Sequence, residues 1–123
     1  MDEAEIYSLI GEEGFTRLVR AFYRQVPADD ILGKMYPESN RAAAEQRLRD
    51  FLMYRFGGPD RYVEQRGHPR LRARHLPFKI DQAARDRWIE LMNRAFTEAA
   101  LPGDVEQFLR AFFEEVSTFL INR

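Results

Sequence analysis

The chain has 123 residues, no cysteine and a formal net charge of −1, which excludes disulfides, thiolate zinc sites, iron–sulfur clusters and thioether-linked haem. Its 19 basic and 20 acidic residues argue against a nucleic-acid-binding protein, because such a protein needs a strongly basic surface. No run approaches the roughly 18 apolar residues of a membrane span, and no leader is recognisable. We therefore expect a single cytoplasmic domain over residues 1–123 that binds neither nucleic acid nor membrane.

The first third of the chain predicts two helical segments. Residues 6–10 form a short apolar patch, interpreted as one or two helical turns that end at Gly11. From residue 15 onward, apolar side chains recur at spacings of three and four, which indicates an amphipathic helix that Pro27 stops. A short apolar run over residues 31–36 follows, and nothing alternates with the period of two that a strand requires.

The middle of the chain predicts one long helix and then a loop. Ser39 or Asn40 is a candidate N-cap for the helix, and Gly57-Gly58-Pro59 should end it, since proline cannot continue a helix. Residues 60–74 show a weak pattern and accumulate arginine, so we predict an ordered loop that leads into one short helix at His75. A loop of about a dozen residues in a compact domain is usually functional.

Two further helices complete the pattern. Asp81 is placed to cap the first of them, and Leu101-Pro102-Gly103 separates it from the second. Apolar residues form a stripe along the second helix over residues 105–120. The chain is therefore predicted to be all-α, with about four substantial helices.

The two histidines limit the kind of site that the chain can build. Zinc takes three or four protein ligands, whereas haem needs only one proximal ligand. His75 lies one turn after Leu71, so both side chains can face the same apolar surface, with the His75 Nδ1–H bonded to a carbonyl one turn earlier and Nε2 left for iron. The alternative is a histidine that faces solvent at a helix end. His68, between Gly67 and Pro69, is interpreted as structural.

Ten Phe, five Tyr and one Trp are many aromatic residues for a small helical protein. Core filling is the plain interpretation, and a pocket for a flat apolar ligand is the other. Tyr23, Tyr36 and Trp88 each place a polar atom on an otherwise apolar segment. That atom either reaches solvent or points into a pocket.

Several of these residues together form a pattern that closely resembles the group II truncated haemoglobins. The resemblance rests on Phe22-Tyr23, Tyr36-Pro37, Phe56-Gly57-Gly58-Pro59, Gly67-His68-Pro69-x-Leu71-Arg72-x-Arg74-His75-x-Pro77-Phe78 and Trp88. It extends over essentially the whole chain from about residue 6, and residues 67–78 are its most specific part. The family often has a Gly-Gly pair before the second helix, where this chain has Ile10-Gly11.

The resemblance implies an all-α truncated globin fold, a two-over-two helical sandwich around one non-covalent haem b. It makes His75 the proximal iron ligand and makes Tyr23, Tyr36 and Trp88 the distal, catalytic set of hydrogen-bond donors. The residues that it places around the cofactor are His75, Ala44, Arg47, Leu48, Phe51, Leu52, Leu71, Arg74, Phe78 and Trp88. The two arginines in that set are candidates to pair with the haem propionates.

The implied ligands are dioxygen and other small diatomic molecules. Two phenols and an indole supply up to three donors for the negative charge that develops on dioxygen, so its release should be slow. Slow release favours redox or detoxification chemistry of oxygen, nitric oxide or peroxide, with an unidentified reductase, over rapid delivery. Dioxygenase activity, peroxidase-like activity and a homodimeric state all stay open. The alternatives are a haem-based gas sensor or oxygen store that acts through an unseen partner, and a haem-free helical interaction module.

Overall fold

The structure, a computed structural model, describes residues 1–123 and contains helices and turns but no strand. The α-helices in chain order are α1 (Ile6–Gln25), α2 (Glu38–Arg55), α3 (Arg61–Arg66), α4 (Leu71–His75), α5 (Gln82–Ala99) and α6 (Gly103–Phe119). Short 3-10 helices cover Glu3–Glu5 and Val26–Ala28. The all-α prediction is confirmed. None of the helices combines the length and the apolar character that crossing a bilayer demands.

The four long helices form a two-over-two sandwich. Helix α1 packs against both α2 and α5, and α5 packs against α6. Phe15, Phe22, Phe56 and Phe96 are fully buried where these helices meet. Each such side chain contributes roughly 1.5–3 kcal/mol through its removal from water, so the aromatic residues supply much of the core.

Helix α1 bends sharply at Gly11, as the sequence predicts. Gly11 has φ 64° and ψ −176°, a backbone conformation that only glycine adopts readily. The residues before it therefore pack as a separate short arm, whose Tyr7 N–H donates to the Phe56 carbonyl at 3.0 Å. One glycine is enough for the turn where the family often has two.

The predicted end of α2 at Gly57-Gly58 is also confirmed, and its cause is close packing against the same arm. Gly57 has φ 93°, and a Cβ there would overlap the carbonyl of Ala4. A Cβ on Gly58 would lie 2.5 Å from the ring of Tyr7. The two glycines let the start of the chain lie directly over the end of α2.

The predicted N-cap of α2 is wrong. The helix already begins at Glu38, and its capping position is Pro37, which makes no side-chain cap bond. Ser39 and Asn40 therefore lie inside the first turn. The backbone of Pro37 is extended, with φ −55° and ψ 146°, so the chain turns into the helix directly after proline and before any polar cap.

The stretch between α2 and α4 holds more structure than the predicted loop. Helix α3 covers Arg61–Arg66 and ends at Gly67, which has φ 75°. Six residues are too few to display a helical period in the sequence, and this explains the omission. By contrast, the predicted cap of α5 is confirmed, since Asp81 Oδ1 accepts from the Ala84 N–H at 2.8 Å.

Candidate functional site

Three polar aromatic side chains meet although they come from separate parts of the chain. Tyr23 lies on α1, Tyr36 lies in the turn before α2, and Trp88 lies on α5. The rings of Tyr23 and Tyr36 are perpendicular, with centroids 5.5 Å apart. Phe22 joins the group, with its ring 5.0 Å from Tyr23 and 5.0 Å from Trp88. The fold thus gathers the two phenols and the indole at one place.

Tyr36 interacts with both of the other polar aromatic side chains. Burial raises its pKa above the ordinary value, and the neighbouring Trp88 and Tyr23 side chains oppose that rise without cancelling it. Burial also raises the pKa of Tyr23 far above its usual range, and its interaction with Tyr36 adds to the effect. Both phenols are neutral near pH 7 and therefore keep their hydrogens. A phenol that accepts from two donors still has its own O–H for a further acceptor.

An ion pair fixes the turn that carries Tyr36 to the helix that carries Trp88. Asp29 Oδ2 accepts from the N–H groups of Ile31 and Leu32 at 3.0 and 2.8 Å. Its Oδ1 accepts from Arg87 Nη1 at 2.6 Å, and Arg87 immediately precedes Trp88. Burial raises the pKa of Asp29, but these backbone N–H groups and the guanidinium outweigh burial and hold it below its ordinary value.

Two arginines of α2 act on the same group. Arg41 Nε donates to the Tyr36 carbonyl at 2.8 Å, so the first turn of α2 holds the backbone of that residue. Arg47 is half-buried and makes no ion pair within the chain. Its positive charge lowers the pKa of both Tyr23 and Tyr36, against the larger effect of burial. Arg47 also lines a cleft between α2 and α3, where Tyr62 lies.

The apolar residues that the sequence assigns to the pocket share one face of α2. Ala44, Phe51 and Leu52 are buried, and Leu48 is partly buried against the same core. Residue 48 lies four positions after 44, and residues 51 and 52 lie three and four positions after 48, which places all four on one side of a helix. That side faces the cluster that also contains Tyr23.

His75 ends the five-residue helix α4 and makes the hydrogen bond that the sequence predicts. Its Nδ1 lies 2.6 Å from the Leu71 carbonyl oxygen. Because a carbonyl only accepts, Nδ1 carries the proton and Nε2 carries the lone pair. Leu71 packs against the core and His75 is half-buried. The imidazole is thus held in the tautomer and the orientation that suit a metal ligand.

Arg74 stabilises the loop that leads to His75. Its Nε donates to the Pro69 carbonyl at 2.7 Å, and its Nη2 donates to the carbonyls of Arg66 and His68 at 2.6 and 3.2 Å. The guanidinium also lies 5.9 Å from the ring centre of Tyr62. These bonds attach the end of α3 and the turn that follows it to α4. The pairing of Arg74 with a propionate stays a prediction beside this structural role.

The structure does not bring every candidate into the core. Phe78 is 48% exposed and lies with the exposed Leu76 in the segment after α4. His68 is exposed, and its Nδ1 accepts from the Arg70 N–H at 3.3 Å. A bond within a turn agrees with the structural interpretation of His68. The contact of Phe78 with a cofactor stays a prediction.

Sequence reasoning missed several residues that build the site. Asp29, two residues before Ile31, is a local turn signal that could have been recognised in the sequence. Arg87 and Arg41 carried no signal, since their partners are set only by the folded chain. Phe113 on α6 lies with its ring 5.2 Å from Trp88, which makes Trp88 a packing residue as well as a donor.

The residues fit haem better than a bare metal ion. No group of three or more His, Asp or Glu side chains that would hold an ion gathers anywhere in the chain. Haem brings four nitrogens of its own and asks the protein for one imidazole, which His75 offers. Neutral donors and an apolar helix face supply the rest of such a pocket.

Comparison with known proteins agrees with this assignment. Residues 5–120 match the family model of the bacterial-like globins. The chain is 36% identical to group 2 truncated hemoglobin YjbI from Bacillus subtilis, over 95% of this chain and 88% of that protein. It resembles the X-ray structure of a thermostable hemoglobin from Thermobifida fusca, with a TM-score of 0.91, 47% identity and coverage of 95% and 96%. It also resembles a truncated oxygen-avid haemoglobin from Bacillus subtilis, with a TM-score of 0.88, 36% identity and coverage of 95% and 98%.

Proposed function

This chain belongs to the bacterial-like globin family, among the group II truncated haemoglobins, and on that premise we propose a ligand-retaining, redox-active haem protein. Haem binding and the binding of small diatomic gases such as dioxygen follow from the family. The finer proposal is that residues 1–123 form one globin domain with one non-covalent haem b. It binds dioxygen reversibly and releases it slowly.

The proximal role falls to His75. Haem, when bound, supplies an iron that takes one protein ligand and one small molecule. The Leu71 carbonyl fixes the Nδ1 proton of His75 at 2.6 Å and so directs the Nε2 lone pair outward from α4. Hydrogen bonding at Nδ1 also makes the imidazole a more basic ligand. His75 thus holds the cofactor in one defined orientation.

The distal role falls to Tyr36, with Tyr23 and Trp88 behind it. The observation that carries the proposal is the meeting of these side chains at one place, with the Tyr23 and Tyr36 rings 5.5 Å apart and the Phe22 ring 5.0 Å from both Tyr23 and Trp88. In the proposed arrangement Tyr23 and Trp88 donate to the Tyr36 oxygen, which leaves the Tyr36 hydrogen for the ligand and fixes where it points. Donors fixed before the ligand arrives stabilise charge without reorganisation. A partly negative ligand is therefore retained.

Slow release suits chemistry on the ligand better than delivery of the ligand. The resemblance to an oxygen-avid haemoglobin supports the retention of dioxygen. Neutral phenols with raised pKa values donate hydrogen bonds without acting as bases near pH 7. We assign the chain to the detoxification of oxygen, nitric oxide or peroxide, with an external reductase that would supply the electrons.

One sample can test the proposal. Dioxygen dissociation from the reduced protein should be slow, and nitric oxide or peroxide should be consumed over many turnovers when a reductant is supplied. Fast dissociation together with no turnover of either reactant would contradict the redox assignment. It would leave haem binding intact, because the absorption spectrum reports that separately.

A further inference from the structure

The segment that follows α6 is fastened to the segment that follows His75. Asn122 Oδ1 accepts from the Ile80 N–H at 2.9 Å. Asn122 Nδ2 donates to the Phe78 carbonyl at 2.9 Å and to the His75 carbonyl at 3.2 Å. The backbone N–H groups of Asn122 and Arg123 both donate to the Ile80 carbonyl, at 2.9 and 3.2 Å. We call this set of bonds the Asn122 clasp.

The Asn122 clasp is nearly complete as a hydrogen-bonding unit. A primary amide has two N–H hydrogens and one carbonyl oxygen, and here both hydrogens and the oxygen have partners in one short segment. The His75 carbonyl also accepts from the Phe78 N–H at 3.0 Å, so Asn122 adds a second donor to a turn that is already closed. One side chain thereby fixes the backbone at His75 and for five residues after it.

Helix α4 needs such support because it is short. A helix of five residues is not stable by itself, so its position must come from contacts with the rest of the protein. A second bond points the same way, since Arg72 Nη1 donates to the Phe119 carbonyl at 3.0 Å with its guanidinium 5.5 Å from the Phe119 ring centre. Both contacts attach α4 and its exit to the end of α6.

We propose that Asn122 is a positioning residue for His75. Asn122 acts on His75 through the backbone, whereas the Leu71 carbonyl acts on the imidazole of His75 directly. The Asn122 clasp holds the exit of α4 so that His75 presents Nε2 at a fixed height and angle. This inference rests on the proposed role of His75 as the proximal ligand. Its consequence is that the strength of the iron–histidine bond depends on a residue at the far end of the sequence.

The test compares two substitutions with a matched control. Asn122→Ala removes all three side-chain bonds. Asn122→Asp keeps an acceptor for Ile80 but removes both donated bonds and sets a carboxylate against two carbonyls. Asn40→Ala is the control, because Asn40 is an exposed asparagine in the first turn of α2. The measurements are the iron–histidine stretching frequency of the ferrous haem protein by resonance Raman spectroscopy and the rate of haem transfer to an apo-globin acceptor.

Both Asn122 variants should shift the iron–histidine frequency from the wild-type value, with a larger shift in Asn122→Asp. Haem transfer should become about three- to tenfold faster, the factor expected if the loss of about one ordinary hydrogen bond is felt at the haem. Asn40→Ala should match the wild type in both measurements. Faster haem transfer with an unchanged iron–histidine frequency would give Asn122 a purely structural role and overturn the inference.

His75→Gly separates the two ideas. If its iron–histidine band disappears while both Asn122 variants keep the wild-type frequency, the inference fails and the proximal assignment stands. If the band persists in His75→Gly, the proximal assignment itself fails. Should Asn122→Ala not fold, Asn122→Asp still decides the matter, since it retains the bond to Ile80.

Discussion

Replacing Tyr36 with phenylalanine tests the distal arrangement most sharply. The change removes one hydroxyl, which in the proposed arrangement accepts from Trp88 and Tyr23 and donates its own hydrogen to the ligand. A hydrogen bond to an acceptor with partial charge contributes about 1.5–3 kcal/mol. The two released donors can turn toward the ligand and recover about 1 kcal/mol. We therefore expect a net loss near 1.4 kcal/mol, which corresponds to about tenfold faster dioxygen dissociation.

The same substitution should weaken the ligand-free protein. Tyr23 is buried and Trp88 is partly buried, so loss of the acceptor that the proposal gives them should cost up to about 1–3 kcal/mol, the cost of an orphaned buried donor. Urea unfolding of the haem-loaded protein would measure this loss. Tyr7→Phe is the matched control, because Tyr7 stacks on Phe15 at 6.4 Å near the bend of α1, away from the distal group.

Stopped-flow displacement of dioxygen by carbon monoxide gives the dissociation rates. The expected order is Tyr36→Phe fastest, Trp88→Phe next and Tyr23→Phe closest to wild type, because the last two lose only support for Tyr36. A wild-type rate in Tyr36→Phe would refute the assignment of its hydrogen to the ligand. A rate in Tyr23→Phe faster than in Tyr36→Phe would make Tyr23 the direct donor.

Three further predictions concern charge. Burial raises the pKa of Tyr23 and Tyr36, so their contribution to folding stability is complete below the unfolded value of about 10 and is lost as pH rises above it. Absorbance titration should therefore show fewer than five tyrosines ionising before the protein unfolds at alkaline pH. The pKa of Asp29 is lowered, so its contribution to folding stability is present above the unfolded value of about 3.9 and is lost as pH falls through the lower folded value. Urea unfolding should show that Asp29→Asn loses less stability than the wild type between roughly pH 5 and pH 3, the window that brackets the unfolded value. Arg47→Ala and Arg74→Ala should speed haem loss modestly at low salt and leave dioxygen release little changed, since an ion pair at the solvent edge contributes about 0–1 kcal/mol. Haem loss that is equal in the wild type and both variants, at low and at high salt, would contradict the pairing of these arginines with the propionates.

The fold was predictable because its main signals are local. Glycine at 11 and at 57 marks positions where the chain needs a positive φ, and Asp81 caps a helix three residues ahead of its partner. Each of these signals is read within one turn of the chain. The same reasoning missed helix α3, because six residues cannot establish a period. It also misplaced the start of α2, because a proline and not a polar cap precedes that helix.

The candidate site was predictable only where a family pattern supplied it. Nothing in the composition links Tyr23, Tyr36 and Trp88, which meet only after α1 packs on α5. The ion pair of Asp29 with Arg87 spans 58 positions, and the contact of Asn122 with His75 spans 47. Periodicity places side chains on faces but does not pair the faces. These supporting residues therefore required the folded structure.

The proximal role of His75 is the central claim, and one spectroscopic comparison tests it directly. The visible and resonance Raman spectra of the ferrous haem-loaded protein would be recorded for wild type, His75→Gly and His68→Gly, with and without added imidazole. We predict a histidine-ligated five-coordinate spectrum in wild type and in His68→Gly. The spectrum should be lost in His75→Gly and restored there by imidazole, which replaces the missing ring. A wild-type spectrum in His75→Gly without imidazole would contradict the account, and its loss in His68→Gly alone would move the iron ligand to the other histidine.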